Sequence, residues 1–171
     1  MTTNEYDNKD YGIADRVVDS KPGGYSPSNT KWKSWIDEMK GRGYNFGAYP
    51  LDVASFEDCA DKVAKIQNEI GAVDILVNNA GITRDMTFKK MTKADWDAVI
   101  RTNLDSCFNM TKQVCDGMVD RAWGRVINVS SVNGSKGAFG QTNYSAAKAG
   151  MHGFTKAAAL EYAKQRLPAS S

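Results

Sequence analysis

Short apolar runs alternate with longer amphipathic segments along the chain. Residues 73–77 contain the run Ile75-Leu76-Val77, and residues 125–129 form a second short apolar segment. Both lie between stretches whose apolar residues recur at helical spacing, so each fits a strand that is buried on both faces. Helices that alternate with short buried strands are typical of a parallel sheet covered by helices. The pattern therefore predicts an α/β fold.

Capping residues and glycines set the predicted limits of the helices. The predicted caps are Asn29 or Thr30, then Ser55 with Asp58 at its capping-box position, then Thr92. We predict helices over residues 29–39, 55–70, 92–118 and 144–164, and a further strand with its exit loop over residues 44–53. In the long third helix, the positions expected to pack are Val99, Leu104, Phe108, Met110 and Val114.

Composition and charge exclude several classes of protein. The chain has 171 residues, 42% hydrophobic and 25% charged, which suits one globular domain. Twenty-two Lys+Arg against 20 Asp+Glu give a net charge of +2, too small to indicate binding to nucleic acid or to an anionic membrane. No stretch approaches the ~18 apolar residues of a membrane span, and Met1–Glu5 lacks the start of a secretory signal. We therefore expect a cytoplasmic protein.

The cysteines and the histidine suggest no metal site and no nucleophile. Cys59, Cys107 and Cys115 are odd in number and have no C-x-x-C spacing, so we expect neither disulfides nor a metal site. Cys107 and Cys115 lie inside a helical pattern and are expected to be packing residues. His152 is the one histidine, and no nucleophile elbow accompanies it. A Ser-His-Asp hydrolase is not indicated.

The sharpest chemical signal is Tyr144-Ser145-Ala146-Ala147-Lys148, with Ser131 thirteen residues before the tyrosine. Side chains at i and i+4 lie on one face of a helix, one turn apart. An ammonium beside a phenol favours the phenolate, as acid–base catalysis requires. Ser131 follows the predicted strand 125–129, at the carboxyl edge where open parallel sheets bind ligands. Its hydroxyl can hydrogen-bond a carbonyl that Tyr144 protonates. Alone, Tyr-x-x-x-Lys is more typical of an ordinary helix surface.

Two further motifs strengthen this interpretation. Asn78-Asn79-Ala80-Gly81 follows the strand 73–77, where a glycine permits close approach of a ligand to the backbone. Asn103 lies within the long helix, where asparagine is mildly unfavourable and often has a polar task.

Together these motifs resemble the short-chain dehydrogenase/reductase family, in order and spacing, from about Gly24 to Ala163. The segments 81–85, 88–92, 94–99, 131–134 and 137–144 are most similar to acetoacetyl-CoA reductases, the NADPH enzymes of polyhydroxybutyrate synthesis. The 3-oxoacyl-carrier-protein reductases share Gly-Ile-Thr-Arg-Asp, and less often carry the Trp96 and Phe139 segments.

The resemblance implies a role for each matching residue. Tyr144 would protonate the ketone, Lys148 would favour the phenolate and hold the nicotinamide ribose, and Ser131 would polarise the carbonyl. Asn103 would anchor a proton-relay water. Further cofactor contacts would come from Asp52, Val53, Asn79, Ala80, Gly81 and Ile82. The acyl-CoA would be bordered by Asp85, Ala138, Phe139, Gly140 and Gln141. No metal is implied.

The choice of NADPH as cofactor has a second, weaker basis. The segment 24–31 contains no acidic residue that would bind a ribose 2′-hydroxyl. Lys31 and Lys33 can meet a 2′-phosphate, although two solvated lysines on a helix surface explain them equally well.

Parts of the family pattern have no counterpart in the sequence. The chain lacks the Thr-Gly-x-x-x-Gly-x-Gly loop that cradles the pyrophosphate on a helix N-terminus. Residues 1–23 match nothing in the family and are expected to form a disordered arm, with residues 24–171 as a partial reductase domain. The expected fold is an incomplete doubly wound, Rossmann-like parallel sheet that lacks the first βα unit and the C-terminal strands.

These gaps leave three functions open. The first is reduction of acetoacetyl-CoA to 3-hydroxybutyryl-CoA, by a chain expected to be a fragment with little or no activity. The second is reduction of a 3-oxoacyl carrier-protein thioester. The third is a non-catalytic interaction subunit that retains the two long helices, through which the family commonly forms homotetramers.

Overall fold

The computed structural model describes residues 37–44 and 47–165. The predicted arm 1–23, the start of the helix 29–39, and both Lys31 and Lys33 lie outside these residues. Residues 37–41 are helical. In chain order the further elements are α1 (Phe56–Glu69), β1 (Ile75–Asn78), α2 (Lys93–Ile100), a π-helical turn (Arg101–Asp105), α3 (Ser106–Asp120), β2 (Arg125–Asn128), α4 (Asn133–Lys136) and α5 (Thr142–Gln165).

β1 and β2 form a parallel pair, as the alternation of helices and strands predicts. Leu76 is opposite Val126, and Asn78 is opposite Asn128. The connection between the strands runs through α2, the π-helical turn and α3. A helical crossover of this length is what parallel neighbours require. The α/β prediction is confirmed, and both strands end at the same edge of the sheet.

The prediction that these strands are buried on both faces is wrong. In β1, Leu76 and Asn78 are buried, while Ile75 and Val77 are exposed. In β2, Ile127 is 49% exposed. Helices pack against one face of the sheet, and within the described residues nothing covers the other. Apolar residues on both faces indicated two covered faces, so the sequence could not reveal which one stays open.

The predicted strand within residues 44–53 is also absent from the described residues, where 47–50 form no ladder. Leu51 and Val53 instead join the hydrophobic core as parts of an irregular segment. Ser55 then caps α1 by accepting a hydrogen bond from the Asp58 N–H (3.1 Å). The Asp58 carboxylate accepts from the Asp52 N–H (2.5 Å), so the predicted capping box is only half formed.

The core lies between α1, β1 and α3. Its buried members are Leu51, Val53, Cys59, Val63, Leu76, Met110, Val114 and Met118. Cys107 and Cys115 are also buried, which confirms the cysteines as packing residues.

Phe108 was expected in this core and is 53% exposed instead. It lies two residues before Met110, about 200° around the helix, so both cannot face the same core. Its ring stacks on Phe56 of α1, with centroids 6.0 Å apart. Leu104 is only partly buried, whereas Val99, Met110 and Val114 are buried as predicted.

The predicted long helix 92–118 is continuous but not uniform. Thr92 caps it through a capping box with Asp95. Between α2 and α3, the π-helical turn contains the fully buried Asn103. π-helical turns are rare, and they occur most often at functional sites.

A cavity of about 470 Å³ lies between α3, β2 and the C-terminal half of α5. Cys115 and Tyr162 are among its lining residues. Burial raises the pKa of the Cys115 thiol, and burial together with the bond to that thiol raises the pKa of Tyr162 to about 12. Both groups therefore stay uncharged at neutral pH, and the cavity wall is largely apolar.

In the described part of the chain, no helix is long and apolar enough to cross a membrane.

The turn after α3 contains a residue in a conformation that favours glycine. Ala122 has φ +52° and follows the helix end, where its N–H donates to Val119 O (2.8 Å). We expect Ala122→Gly to raise the free energy of unfolding by about 0.5–1 kcal/mol, because glycine occupies the left-handed region without a Cβ clash. Urea denaturation measures the change. The matched substitution Ala64→Gly, at an exposed position inside α1, should lower stability by about 0.5–1 kcal/mol. Equal signs for the two variants would contradict the interpretation of Ala122.

Candidate active site

Tyr144 and Lys148 lie on one face of α5, near its N-terminal end. The Lys148 Nζ is 5.7 Å from the centroid of the Tyr144 ring. Tyr144 is half-buried, whereas Lys148 is only 4% exposed. The i, i+4 spacing thus brings a phenol at the surface next to a buried ammonium, as the sequence predicts.

Lys148 connects the helix to the end of the second strand. Its Nζ donates to the carbonyl of Val129, one residue beyond β2, at 2.7 Å. Burial lowers the pKa of this ammonium, and the neighbouring Cys107 opposes that shift in part. A buried ammonium is stable only where its donors are satisfied, and it has three of them. The bond to Val129 uses one donor, which leaves capacity for hydroxyl or anionic groups of a ligand.

The loop that carries Ser131 packs directly against this part of α5. The Ser130 hydroxyl donates to the Lys148 carbonyl (2.9 Å). A Cβ on Gly134 would approach the Lys148 carbonyl carbon to 2.7 Å, so only glycine permits this contact between α4 and α5. Ser131 Oγ accepts the Asn133 N–H (3.2 Å), which leaves the proton of the hydroxyl to be donated elsewhere.

Asn103 fixes the loop after β1. Its Oδ1 accepts the Ile82 N–H (2.9 Å), and its Nδ2 donates to the Ile82 carbonyl (2.8 Å). A Cβ on Gly81 would lie 2.5 Å from the same Oδ1. The side chain therefore positions the exit loop of β1, and both ends of its amide are engaged in doing so. The water-anchoring role that the resemblance implies for Asn103 stays a prediction.

The other predicted cofactor residues surround the same edge of the sheet. Asn79 is exposed, and Ala80 packs partly against the core. The Val53 side chain belongs to the core, and its carbonyl accepts from Asn109 Nδ2 (2.9 Å). Asp52 is exposed beside it, with Oδ1 accepting the Ala54 N–H. A ligand at Val53 would therefore meet backbone rather than side chain.

The predicted substrate residues come from two loops that touch each other. The Met86 N–H donates to the Gly140 carbonyl (2.8 Å), and Gly140 has φ +75°. Gln141 Nε2 donates to the Asp85 carboxylate (2.7 Å). Phe139 is 94% exposed at the tip of its loop, and Ala138 is half-buried. The structure thus brings Asp85 and residues 138–141 together.

Three residues of this region were not predicted from the sequence. Asn133, Gly134 and Asn143 make contacts that hold the Ser131 and Tyr144 segments in place. Only their position in the sequence indicated such a role. Asn133 and Gly134 closely follow Ser131, and Asn143 directly precedes Tyr144. The side chains of Asn133 and Asn143 bind main-chain groups and other protein side chains, so no substrate-binding pattern marks them in the sequence.

The donor set fits a nicotinamide nucleotide. A buried lysine with free donor capacity and the glycine-containing exit of β1 converge at the carboxyl edge of the sheet, where α/β folds bind such ligands. Among residues 37–44 and 47–165, no group of three or more His, Cys, Asp or Glu residues is placed to hold a metal ion.

The contact at Gly134 is testable. We expect Gly134→Ala to lower the free energy of unfolding by about 1–3 kcal/mol, because the added methyl group would overlap main-chain atoms of α5 that cannot move aside. The matched change Gly153→Ala, in α5 with open space around it, should raise the free energy of unfolding by about 0.5–1 kcal/mol. Differential scanning calorimetry on both variants checks this. Equal stability of Gly134→Ala and the parent chain would rule out the close approach.

Comparisons with known proteins agree with this geometry. The sequence profile of the short chain dehydrogenase family matches residues 22–170. The acetoacetyl-CoA reductase of Cupriavidus necator is 56% identical over 140 residues, covering 82% of this chain and 57% of that protein. Nodulation protein G of Azospirillum brasilense is 60% identical over 130 residues, covering 76% of this chain and 53% of that protein.

A carrier-protein reductase is also similar. The 3-oxoacyl-acyl-carrier-protein reductase of Pseudomonas aeruginosa is 46% identical over 125 residues, covering 73% of this chain and 51% of that protein. The chain spans about half the length of the curated relatives that it matches. The family profile covers most of the sequence. The site residues Tyr144, Lys148, Ser131 and Asn103 lie at one edge of the sheet. The chain therefore belongs to the short-chain dehydrogenase family.

Proposed function

We propose that this chain carries the acid–base site of an NADPH-dependent reductase that converts acetoacetyl-CoA to 3-hydroxybutyryl-CoA. The observation that carries the proposal is the half-buried phenol of Tyr144 with the buried Lys148 ammonium 5.7 Å from its ring centroid. Identity of 56% to an acetoacetyl-CoA reductase supports the choice of substrate.

Tyr144 is the proposed proton donor to the ketone oxygen. A free phenol is too weak an acid for rapid proton transfer near neutral pH, and a nearby positive charge favours its ionised form. The Lys148 Nζ lies 5.7 Å from the ring centroid of Tyr144, and its hydrogen bond goes to a main-chain carbonyl rather than to a carboxylate.

Ser131 is the proposed second donor to the same oxygen. Its Oγ already accepts the Asn133 N–H, so its own proton is the group left to offer. A donor aimed at the developing negative charge lowers the barrier by stabilising the transition state.

The cofactor, when bound, supplies the hydride for the carbonyl carbon. Lys148 would hold its nicotinamide ribose, and the cofactor would be lined by Asn79, Ala80, Gly81 and Ile82. The adenine would be flanked by Asp52 and Val53. Preference for NADPH over NADH is part of the proposal, and it rests on Lys31, Lys33 and the absence of an acidic residue in the segment 24–31.

The acyl thioester is proposed to lie along Asp85 and the loop 138–141. Phe139 gives this loop a freely exposed aromatic ring, suited to an apolar contact with a long carrier arm. The similarity to the Pseudomonas aeruginosa protein makes the 3-oxoacyl carrier-protein thioester the second candidate substrate. A homotetramer formed through the long helices, as is common in the family, completes the proposal for partners.

Loss of the phenol should abolish turnover. We expect Tyr144→Phe to lower kcat for acetoacetyl-CoA reduction by about 10²–10⁴-fold while NADPH binding persists, because only the proton donor is removed. The oxidation of NADPH followed at 340 nm measures the rate. Tyr49→Phe is the matched control, because the Tyr49 hydroxyl donates to Glu69, a residue outside the proposed site (2.8 Å). This variant should keep the parent rate.

The chain alone is expected to have little activity, so the same variants are also tested in a chimera. Residues 24–163 replace the matching segment of the Cupriavidus necator reductase, which supplies the remainder of that protein. An active chimera that is inactivated by Tyr144→Phe supports the proposed site. A chimera that folds, binds NADPH and is indifferent to Tyr144→Phe instead favours the non-catalytic interaction subunit.

Substrate class is decided by a second comparison. We expect kcat/KM for acetoacetyl-CoA to exceed that for acetoacetyl carrier protein by about tenfold or more in the active chimera, because the chain is more similar to the CoA reductases. The parent Cupriavidus necator enzyme, assayed in parallel, shows how much of the preference comes from residues 24–163. The opposite ratio would assign the carrier-protein substrate.

A further inference from the structure

A series of hydrogen bonds leads from Ser131 into the substrate loop. The Asn133 N–H donates to Ser131 Oγ (3.2 Å), and the Asn133 Nδ2 donates to Gln141 Oε1 (2.9 Å). Gln141 Nε2 in turn donates to Asp85 Oδ2 (2.7 Å). Both ends of the Gln141 amide are therefore engaged by protein groups.

A second series leads back from the same loop to Tyr144. The Arg84 carbonyl, in the peptide unit before Asp85, accepts from Asn143 Nδ2 (3.2 Å). The same Nδ2 also approaches the Asp95 carbonyl of α2 (3.4 Å). Asn143 Oδ1 accepts the Tyr144 N–H (2.8 Å). Asn143 is fully buried, so its side-chain amide is shielded from water.

The two series share the Arg84–Asp85 peptide and so form one connected path from Ser131 to Tyr144. Contacts of α5 with the serine loop close this path into a ring, since Ser130 Oγ donates to the Lys148 carbonyl. The hydroxyl and the phenol come from different elements, and the ring determines their separation. Small errors in such a separation cost large factors in rate.

We propose that Gln141 and Asn143 are positioning residues that together fix Ser131 relative to Tyr144 through the Arg84–Asp85 peptide. The inference rests on the proposed function of Ser131 and Tyr144, and it gives Gln141 a positioning task in addition to its place beside the substrate. Either substitution opens the same ring, so the effects of the two should not multiply.

The first test measures geometry without catalysis. Amide hydrogen exchange of the full-length chain is followed by NMR in Asn143→Ala and in Gln141→Met, which keeps the length of the side chain and removes its amide. Exchange of the Tyr144 N–H should become about tenfold faster in Asn143→Ala, because its acceptor is lost. The decisive result is a similar acceleration in Gln141→Met, because the hydrogen bonds of the Gln141 side chain go to Asn133 and Asp85 and not to Tyr144.

Controls separate this effect from general loosening. Val114 in the core should keep its exchange rate in both variants, and Ser135→Ala, an exposed position on α4, should leave Tyr144 unchanged. If Asn143→Ala fails to fold, the remote effect of Gln141→Met alone decides. An unchanged Tyr144 rate in Gln141→Met overturns the ring.

The second test uses turnover in the full chain or in the chimera described above. Each variant should lower kcat about tenfold with KM changed by less than about twofold, and the double variant should be no slower than the worse single variant. A raised KM with unchanged kcat for Gln141→Met would show direct substrate contact and overturn the proposal, as would fully multiplicative effects. Absence of turnover in the unmodified proteins would count against the proposed function only, because the exchange experiment still decides the ring.

Discussion

The bond from the Lys148 ammonium to the Val129 carbonyl connects the parts of the site. It joins the end of β2 to the first turns of α5, and the lysine side chain that makes it is buried. Burying an ammonium is unfavourable, and the lowered pKa of Lys148 reflects that cost. The fold tolerates the charge because strand and helix meet closely enough to solvate it with main-chain oxygen. Tyr144, Ser131 and the glycine contact at Gly134 all depend on this one approach.

Around that contact, asparagine side chains form hydrogen bonds to main-chain groups of loops, which have no regular backbone pairing of their own. Asn103 binds both polar groups of the Ile82 peptide, and Asn143 binds the start of α5 to the loop after β1. Asn78 and Asn128 pair across the two strands (2.8 Å), and Asn128 continues to Thr155 on α5 (2.8 Å). A side-chain amide offers both a donor and an acceptor, so a single side chain can bind both the N–H and the C=O of one residue. This explains why the loops stay ordered without much secondary structure of their own.

The sequence allowed the helices, the parallel pairing and the Tyr-Lys face to be predicted, because each depends on local spacing. Thr92 and Ser55 cap helices as predicted, and β1 and β2 lie within two residues of their predicted limits. The failures concern properties set by distant contacts. Whether a face of Val77 is covered, or whether residues 47–53 find a strand partner, depends on what packs there rather than on the residues themselves. The positioning role of Asn133 and Asn143 was missed for the same reason, since their partners lie in other loops.

The open face of the sheet has a consequence for how the protein behaves in solution. Ile75, Val77, Ile127 and Val129 place four branched aliphatic side chains on neighbouring positions of two strands, each about two-fifths to one-half accessible to solvent. Salts such as ammonium sulfate strengthen the tendency of such surfaces to coalesce, whereas a mild chaotrope weakens it. We therefore expect the solubility of the folded chain to fall as the concentration of such a salt rises.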